Sequence, residues 1–339
     1  MSYETEGQLM SKQETNWFRG MAALMVVLSH YAEWWIQIMQ PQGRIETLCE
    51  AMSKLGVYGV DMFFLFSGYA MVKSLGQEKM SFRYVWKRIK NVYIPYLCIV
   101  CALELLSGGF TSFNDFLLFL TGYDYWYMFV LFLFYIGFIV IYALVRVKTP
   151  RVLLFCVFTY VMSYILYSKG VQTFWYVSNI TFALGVIVGE YEGQVRRIVD
   201  KTALPMIIVC GIGMIFVVRF GMTGGVNIGG DPQEYQIWFQ IGATLIWTLL
   251  ILNLAAKCRM KEKIGAFLGK NSLYLYLTHT FFFMRCVNSE GLGNVLAFIN
   301  HPERIMLLRF ILGFLTAVAV SFLCGLAFNG LYRLGKKKN

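Results

Sequence analysis

GVYGVDMFFLFSGYAMVKS, residues 56–74, carries charge only at Asp61 and, next to its end, at Lys73. A helix needs about 20 mostly apolar residues to cross the hydrocarbon core of a bilayer. This segment meets that requirement and predicts a transmembrane helix. Working outward, similar segments fall near 17–36, 91–107, 126–146, 151–167, 174–190, 203–220, 237–256, 271–288 and 305–331. The fold class expected is all-α, a polytopic transmembrane helix bundle of about ten spans.

The composition agrees. Of 339 residues 58% are hydrophobic and 14% charged, and the mean hydropathy is +0.58, whereas a soluble domain carries roughly 25% charged residues. The polar connections are short, which predicts a transmembrane domain over 17–332, an N-terminal segment over 1–16 and a basic tail over 333–339. The first sixteen residues mix Glu4, Glu6, Lys12 and Glu14. That is not the basic, apolar, small-residue order of a cleaved signal peptide, so the first apolar helix is expected to stay. Cys98 and Cys101 have no histidine or second cysteine pair beside them, and read as helix packing with no metal.

Cations set the expected orientation, because short cytoplasmic loops collect Lys and Arg. One set of alternate connections holds Lys12 and Arg19, Lys73 to Lys90, Arg146 to Arg151, Arg196 to Lys201, Lys257 to Lys270 and Arg333 to Lys338. The other holds only Arg44, Lys54, Lys169, Arg219, Arg285, Arg304 and Arg309. Both termini are therefore expected in the cytoplasm. Outer loops are expected near 37–55, 108–125, 168–173, 221–236 and 289–304, with a flexible stretch at Gly221 to Pro232. The net charge of +11 lies between apolar spans, so it points to membrane lipid head groups and not to nucleic acid. No internal repeat supports a transporter built from two matching halves.

Ionisable groups at membrane depth are costly and are functional candidates. Arg19 and His30 are separated by eleven helical steps of about 100°, which bring them onto one face roughly 16 Å apart. Glu33 lies about one turn further on, where its carboxylate could orient the imidazole. Arg19 also fits a positive-inside anchor and His30 a hydrogen-bonding group between helices. His279 reaches a similar depth, roughly 13 Å in from Lys270, whereas His301 precedes a proline in an outer loop. Asp61 and Ser67 lie along the second span. Lys87 and Arg88 precede the third, and suit either lipid phosphates or the phosphates of a nucleotide-bearing cofactor. Tyr123, Tyr125, Trp126 and Tyr127 read as an interfacial aromatic belt.

Four segments resemble the acyltransferase-3 family of multi-spanning membrane proteins. They are Arg19 with His30; GVDMFFLFSGY from Gly59 to Tyr69; RIKNVYIPY from Arg88 to Tyr96; and LGKNSLYLYLTH from Leu268 to His279. The resemblance implies a cytoplasmic acyl-CoA donor, usually acetyl-CoA. It also implies transfer to a hydroxyl of a sugar or cell-envelope glycan near the outer side of the cytoplasmic membrane, with Arg19 and His30 essential. No hydrolase-like extracytoplasmic domain is expected after the spans, and the resemblance is therefore to the stand-alone members.

Attack of a hydroxyl on a thioester needs a base and a means of steadying the oxyanion. His30 is the candidate base, with Glu33 and His279 as its catalytic companions. Arg19, Lys87 and Arg88 are the donor-binding candidates, and Asp61, Ser67 and Tyr274 the substrate-binding ones. The rival class is a proton-coupled transporter or flippase of a glycan or lipid-linked intermediate, since mid-membrane His and Asp residues also serve proton relays.

Overall fold

A computed structural model describes residues 9–76, 80–218, 232–258, 263–296 and 301–337. Most of the flexible loop expected from Gly221 falls outside these residues, as do Lys79, Arg219, Arg259 and Lys261. Among the described residues there are helices and turns and no strand. In chain order the helices are α1 (Lys12–Met39), α2 (Arg44–Ser53), α3 (Leu55–Leu75), α4 (Phe82–Arg88), α5 (Ile94–Ser107), α6 (Phe113–Thr121), α7 (Trp126–Leu144), α8 (Lys148–Ser168), α9 (Asn179–Glu190), α10 (Glu192–Phe216), α11 (Pro232–Lys257), α12 (Lys263–Lys270), α13 (Ser272–Val287), α14 (Glu290–Val295) and α15 (Pro302–Lys337).

Each of the apolar segments expected from sequence overlaps a helix, but they are not equivalent. Seven stretches are long and apolar enough to cross a membrane: α2 with α3, α4 with α5, α7, α8, α10, most of α11, and α15 up to Tyr332. The helices α1, α9 and α13 do not meet that criterion. Lys12, Glu14, Arg19 and Glu33 interrupt α1, while α9 has 12 residues and α13 has 16.

Burial separates the inner helices from the outer ones. The apolar window of α2–α3 is 72% buried, against 22% for those of α8 and α10. Apolar residues all round a helix mark it as internal, and α3 fits that description. By contrast α8 and α10 turn Leu153, Val157, Ile208, Val209, Ile212 and Ile215 outward. An apolar outer surface of this kind suits hydrocarbon and not water.

Small residues let the inner helices touch. A Cβ on Gly68 of α3 would collide with the Phe182 carbonyl oxygen of α9, and one on Gly185 of α9 with the Leu65 carbonyl oxygen of α3. Where lipid competes equally for apolar side chains, such close backbone approach drives helix association. Gly269 at the end of α12 is pressed in the same way against the backbone of Asn16 in α1.

The segments 37–55 and 108–125, expected as outer loops, contain α2 and α6. Each is too short to span, and each exposes apolar side chains, Ile45 and Leu48 on one and Phe113, Phe116 and Leu117 on the other. Helices of this kind suit the membrane interface. Between α4 and α5 the chain makes one π-helical turn, Ile89–Tyr93, just before Pro95. A proline removes a backbone donor, and a local change of helical pitch accommodates it.

Candidate active site

The N-terminal end of α1 opens onto a cavity of about 550 Å³, within the range of small-molecule sites. Ser11 Oγ accepts from the Glu14 N–H and Glu14 in turn accepts from the Ser11 N–H, so the helix starts at a defined place. From there α1 presents Lys12, Thr15, Asn16 and Arg19 to the cavity. Ser67 and Lys73 of α3 join them, with Lys87, Arg88 and Asn91 from α4 and the π turn, and Lys270 from the end of α12. Six cations thus surround one space, and among the described residues no carboxylate lines it. Arg19 donates from Nη2 to the Phe66 carbonyl oxygen at 3.3 Å. Arg88 donates to Ser74 Oγ and the Ala70 carbonyl and lies over the Tyr84 ring at 5.1 Å. An arginine held so firmly has lost its rotamer freedom before an anion arrives.

One acid works from behind. Glu192, at the start of α10, accepts from the Leu9 N–H at 2.7 Å, from the Tyr69 hydroxyl at 2.6 Å and from Lys73 Nζ at 2.6 Å. It therefore ties the N-terminal segment, with Leu9 and Met10 buried, to the rim of the cavity.

Two tyrosines form the inner wall. Tyr127 of α7 and Tyr276 of α13 both line the cavity, with ring centroids 5.1 Å apart, and the Ser67 side chain sits beside the Tyr127 hydroxyl. Beyond them, the His279 ring lies 6.0 Å from that of Tyr276 and 5.3 Å from that of His30. His279 is 2% exposed. Its Nδ1 lies 2.7 Å from the Tyr276 carbonyl oxygen and 3.2 Å from that of Leu275. A carbonyl only accepts, so Nδ1 of the neutral ring carries the hydrogen and Nε2 keeps its lone pair, 3.3 Å from the Thr280 hydroxyl. Glu33 Oε2 is 3.9 Å from His30 Nδ1, and Trp34 stacks on the other side of His30 at 5.8 Å. The His30 and Glu33 side chains are 40% and 55% exposed, and neither lines the basic cavity.

The residues singled out from sequence thus divide. Arg19, Lys87, Arg88 and Ser67 meet at the basic cavity, and His30, Glu33 and His279 meet beyond its tyrosine wall. Asp61 is 1% exposed and lies elsewhere, beside Ser178 and Thr244. Tyr274 stacks on Phe328 of α15 at 5.7 Å and is absent from the cavity wall. Tyr127, expected in an interfacial belt, is buried, facing inward against Phe64 and Tyr276. Of that belt Tyr123 and Trp126 pack against Trp175. Sequence reasoning missed Lys73, Lys270 and Tyr276 as wall residues. Their signal was position, since each lies within a segment that also holds a predicted site residue.

A model of the family's acyltransferase domain matches residues 13–326. The chain belongs to the acyltransferase-3 family. The match runs from the first turn of α1 into α15, so this membrane acyltransferase contains the basic cavity, the tyrosine wall and the histidine pair within the family's domain. Neither the curated proteins nor the solved structures compared with it contain a match.

Proposed function

We propose that this acyltransferase takes an acyl group, acetyl in the first instance, from cytoplasmic acyl-CoA and transfers it to a hydroxyl of a sugar or cell-envelope glycan at the outer side of the cytoplasmic membrane. The observation that carries this reading is the basic cavity, free of acid among its described lining residues and separated by two tyrosine rings from the paired histidines. Its cations match the phosphates of CoA, and the loop charges favour cytoplasmic termini in a bundle of about ten spans.

In the reaction His30, assisted by Glu33, takes the proton of the acceptor hydroxyl. The oxygen attacks the thioester carbon, the C–O bond forms, the C–S bond breaks, and the CoA sulfur leaves as thiolate to be protonated as thiol. His279, its ring beside that of His30, polarises the thioester carbonyl, orients the acceptor hydroxyl or carries the proton onward. Arg19 and the Lys87–Arg88 pair hold the donor.

The test is release of free thiol from acetyl-CoA by the purified protein in nanodiscs, with and without envelope glycans. Release by the wild type that is lost in His30→Ala and Arg19→Ala, with folding retained, is the expected result. Failure of the wild type to bind or consume acyl-CoA with any acceptor overturns the proposal.

A further inference from the structure

Among the described residues the buried carboxylates other than Asp61 each accept a hydrogen bond, Glu14 from the Ser11 N–H and two more from cations. Glu190 accepts from Arg151 Nη2 at 2.5 Å and Glu192 from Lys73 Nζ at 2.6 Å. Asp61 of α3 is 1% exposed, and neither of its oxygens has a hydrogen-bond partner.

The two hydroxyls beside it are exceptions of their own kind. Ser178 precedes the first residue of α9, where a serine ordinarily accepts from a backbone N–H in the first turn, yet it makes no side-chain cap. Thr244 lies inside α11. Other buried or half-buried threonines here, Thr159, Thr248 and Thr278, donate to the carbonyl four residues back. Thr244 Oγ1 does not, and like Ser178 Oγ it is buried without a hydrogen bond. Both side chains are 1% exposed and lie against the Asp61 carboxylate. Four oxygens from three separate elements thus lie together, and none makes a hydrogen bond of ordinary length and angle to another.

An ionised carboxylate with no partner is not tolerated in an apolar interior. Oxygens that converge without bonding one another suit a bound cation. One carboxylate neutralises one positive charge, so the ion is monovalent. No group of three or more His, Cys, Asp or Glu among the described residues could hold a metal ion, which leaves a divalent site without the acids it needs. Irregular backbone adjoins the site, because the 3-10 turn Thr173–Trp175 and the turn after it lead into α9. Unwound backbone of this kind within a membrane protein supplies carbonyl ligands to sodium. Tyr58 and Trp247 flank the site on α3 and α11, with Trp247 Nε1 donating to the Tyr58 carbonyl at 3.0 Å. We infer that Asp61, Ser178 and Thr244 form a binding site for one sodium ion that ties α3, the start of α9 and α11 together.

The test needs no acyl transfer, so it is independent of the reaction proposed above. The thermal unfolding midpoint of the full-length detergent-purified protein is followed as choline chloride is replaced by sodium chloride at constant ionic strength. A saturable rise in midpoint with sodium is expected. It disappears in Asp61→Asn, and Thr244→Val shifts the half-saturating concentration upward about tenfold, as the loss of one ligand does. Equal midpoints in sodium and choline overturn the site and leave Asp61 as a neutral acid held by its two hydroxyls. The same is true if the full rise persists in Asp61→Asn or, should that variant not fold, if Thr244→Val leaves the half-saturating concentration unchanged.

Discussion

Lys73 Nζ stands 2.6 Å from Glu192 Oε2, so one of the cations facing the cavity is already held by an acid outside it. The same carboxylate fixes the Leu9 N–H and the Tyr69 hydroxyl. Cation, tyrosine and N-terminal segment are thereby linked through one side chain.

We predict that Glu192→Gln loosens all three at once. A buried acceptor that loses its charge-assisted partners costs about 1–3 kcal/mol, discounted here because Lys73 is 32% exposed. Limited trypsin digestion should cut faster after Lys12 in the variant than in the wild type. Equal cleavage rates would show that the segment is held by other contacts.

Arg88→Ala should act chiefly on the donor. Its guanidinium is positioned by Ser74 and the Ala70 carbonyl, and its charge faces the cavity. A rise in KM for acetyl-CoA of about tenfold or more, with a smaller change in kcat, is expected from the loss of one phosphate-directed cation. Added salt should weaken wild-type binding in the same direction. A variant changed in kcat alone would place Arg88 outside donor binding.

The two imidazoles should behave as a unit. Their rings are 5.3 Å apart, and groups that act together are non-additive. Removing a general base typically costs 10²–10⁴ in rate. His30→Ala and His279→Ala should therefore each lower thiol release by about that order, and the double variant by little more than the worse single one. Multiplied losses in single-turnover measurements would mean that the histidines serve separate steps.

Gly185→Ala tests the packing of α3 on α9. The added methyl meets the Leu65 carbonyl oxygen, and backbone yields less readily than a side chain. Overpacking typically costs about 1–3 kcal/mol, so a lower unfolding midpoint is expected. Gly193→Ala, with open space around its Cβ position, is the control. Equal midpoints for the two variants would refute the close approach.

Much of the helical order was legible because apolar length is a local property. The spans expected near 17–36, 174–190 and 271–288 form α1, α9 and α13, which fall short of the length or hydropathy that crossing needs. Arg19 and Glu33 lower the hydropathy of α1, while α9 has 12 residues and α13 has 16. Arg19 and His30 were legible from helical phase on one segment. The convergence of Lys73, Lys87 and Lys270 was not, because loop cations look alike whether they face lipid phosphate or a cavity. Asp61 showed itself as a charge at membrane depth, but its neighbours Ser178 and Thr244 are common residue types on distant segments. Tyr127 shares its composition signal with surface aromatics, and only the rotation of α7 turns it inward.

Tyr127 and Tyr276 also bear on a problem that any protein spanning a bilayer must solve. The reaction proposed above puts the basic cavity and the exposed His30–Glu33 pair toward opposite faces, and water joining them would short-circuit the membrane's ion gradients. Two aromatic rings stand between them. An aromatic barrier of this kind would let the cell keep such a protein in its membrane without discharging it.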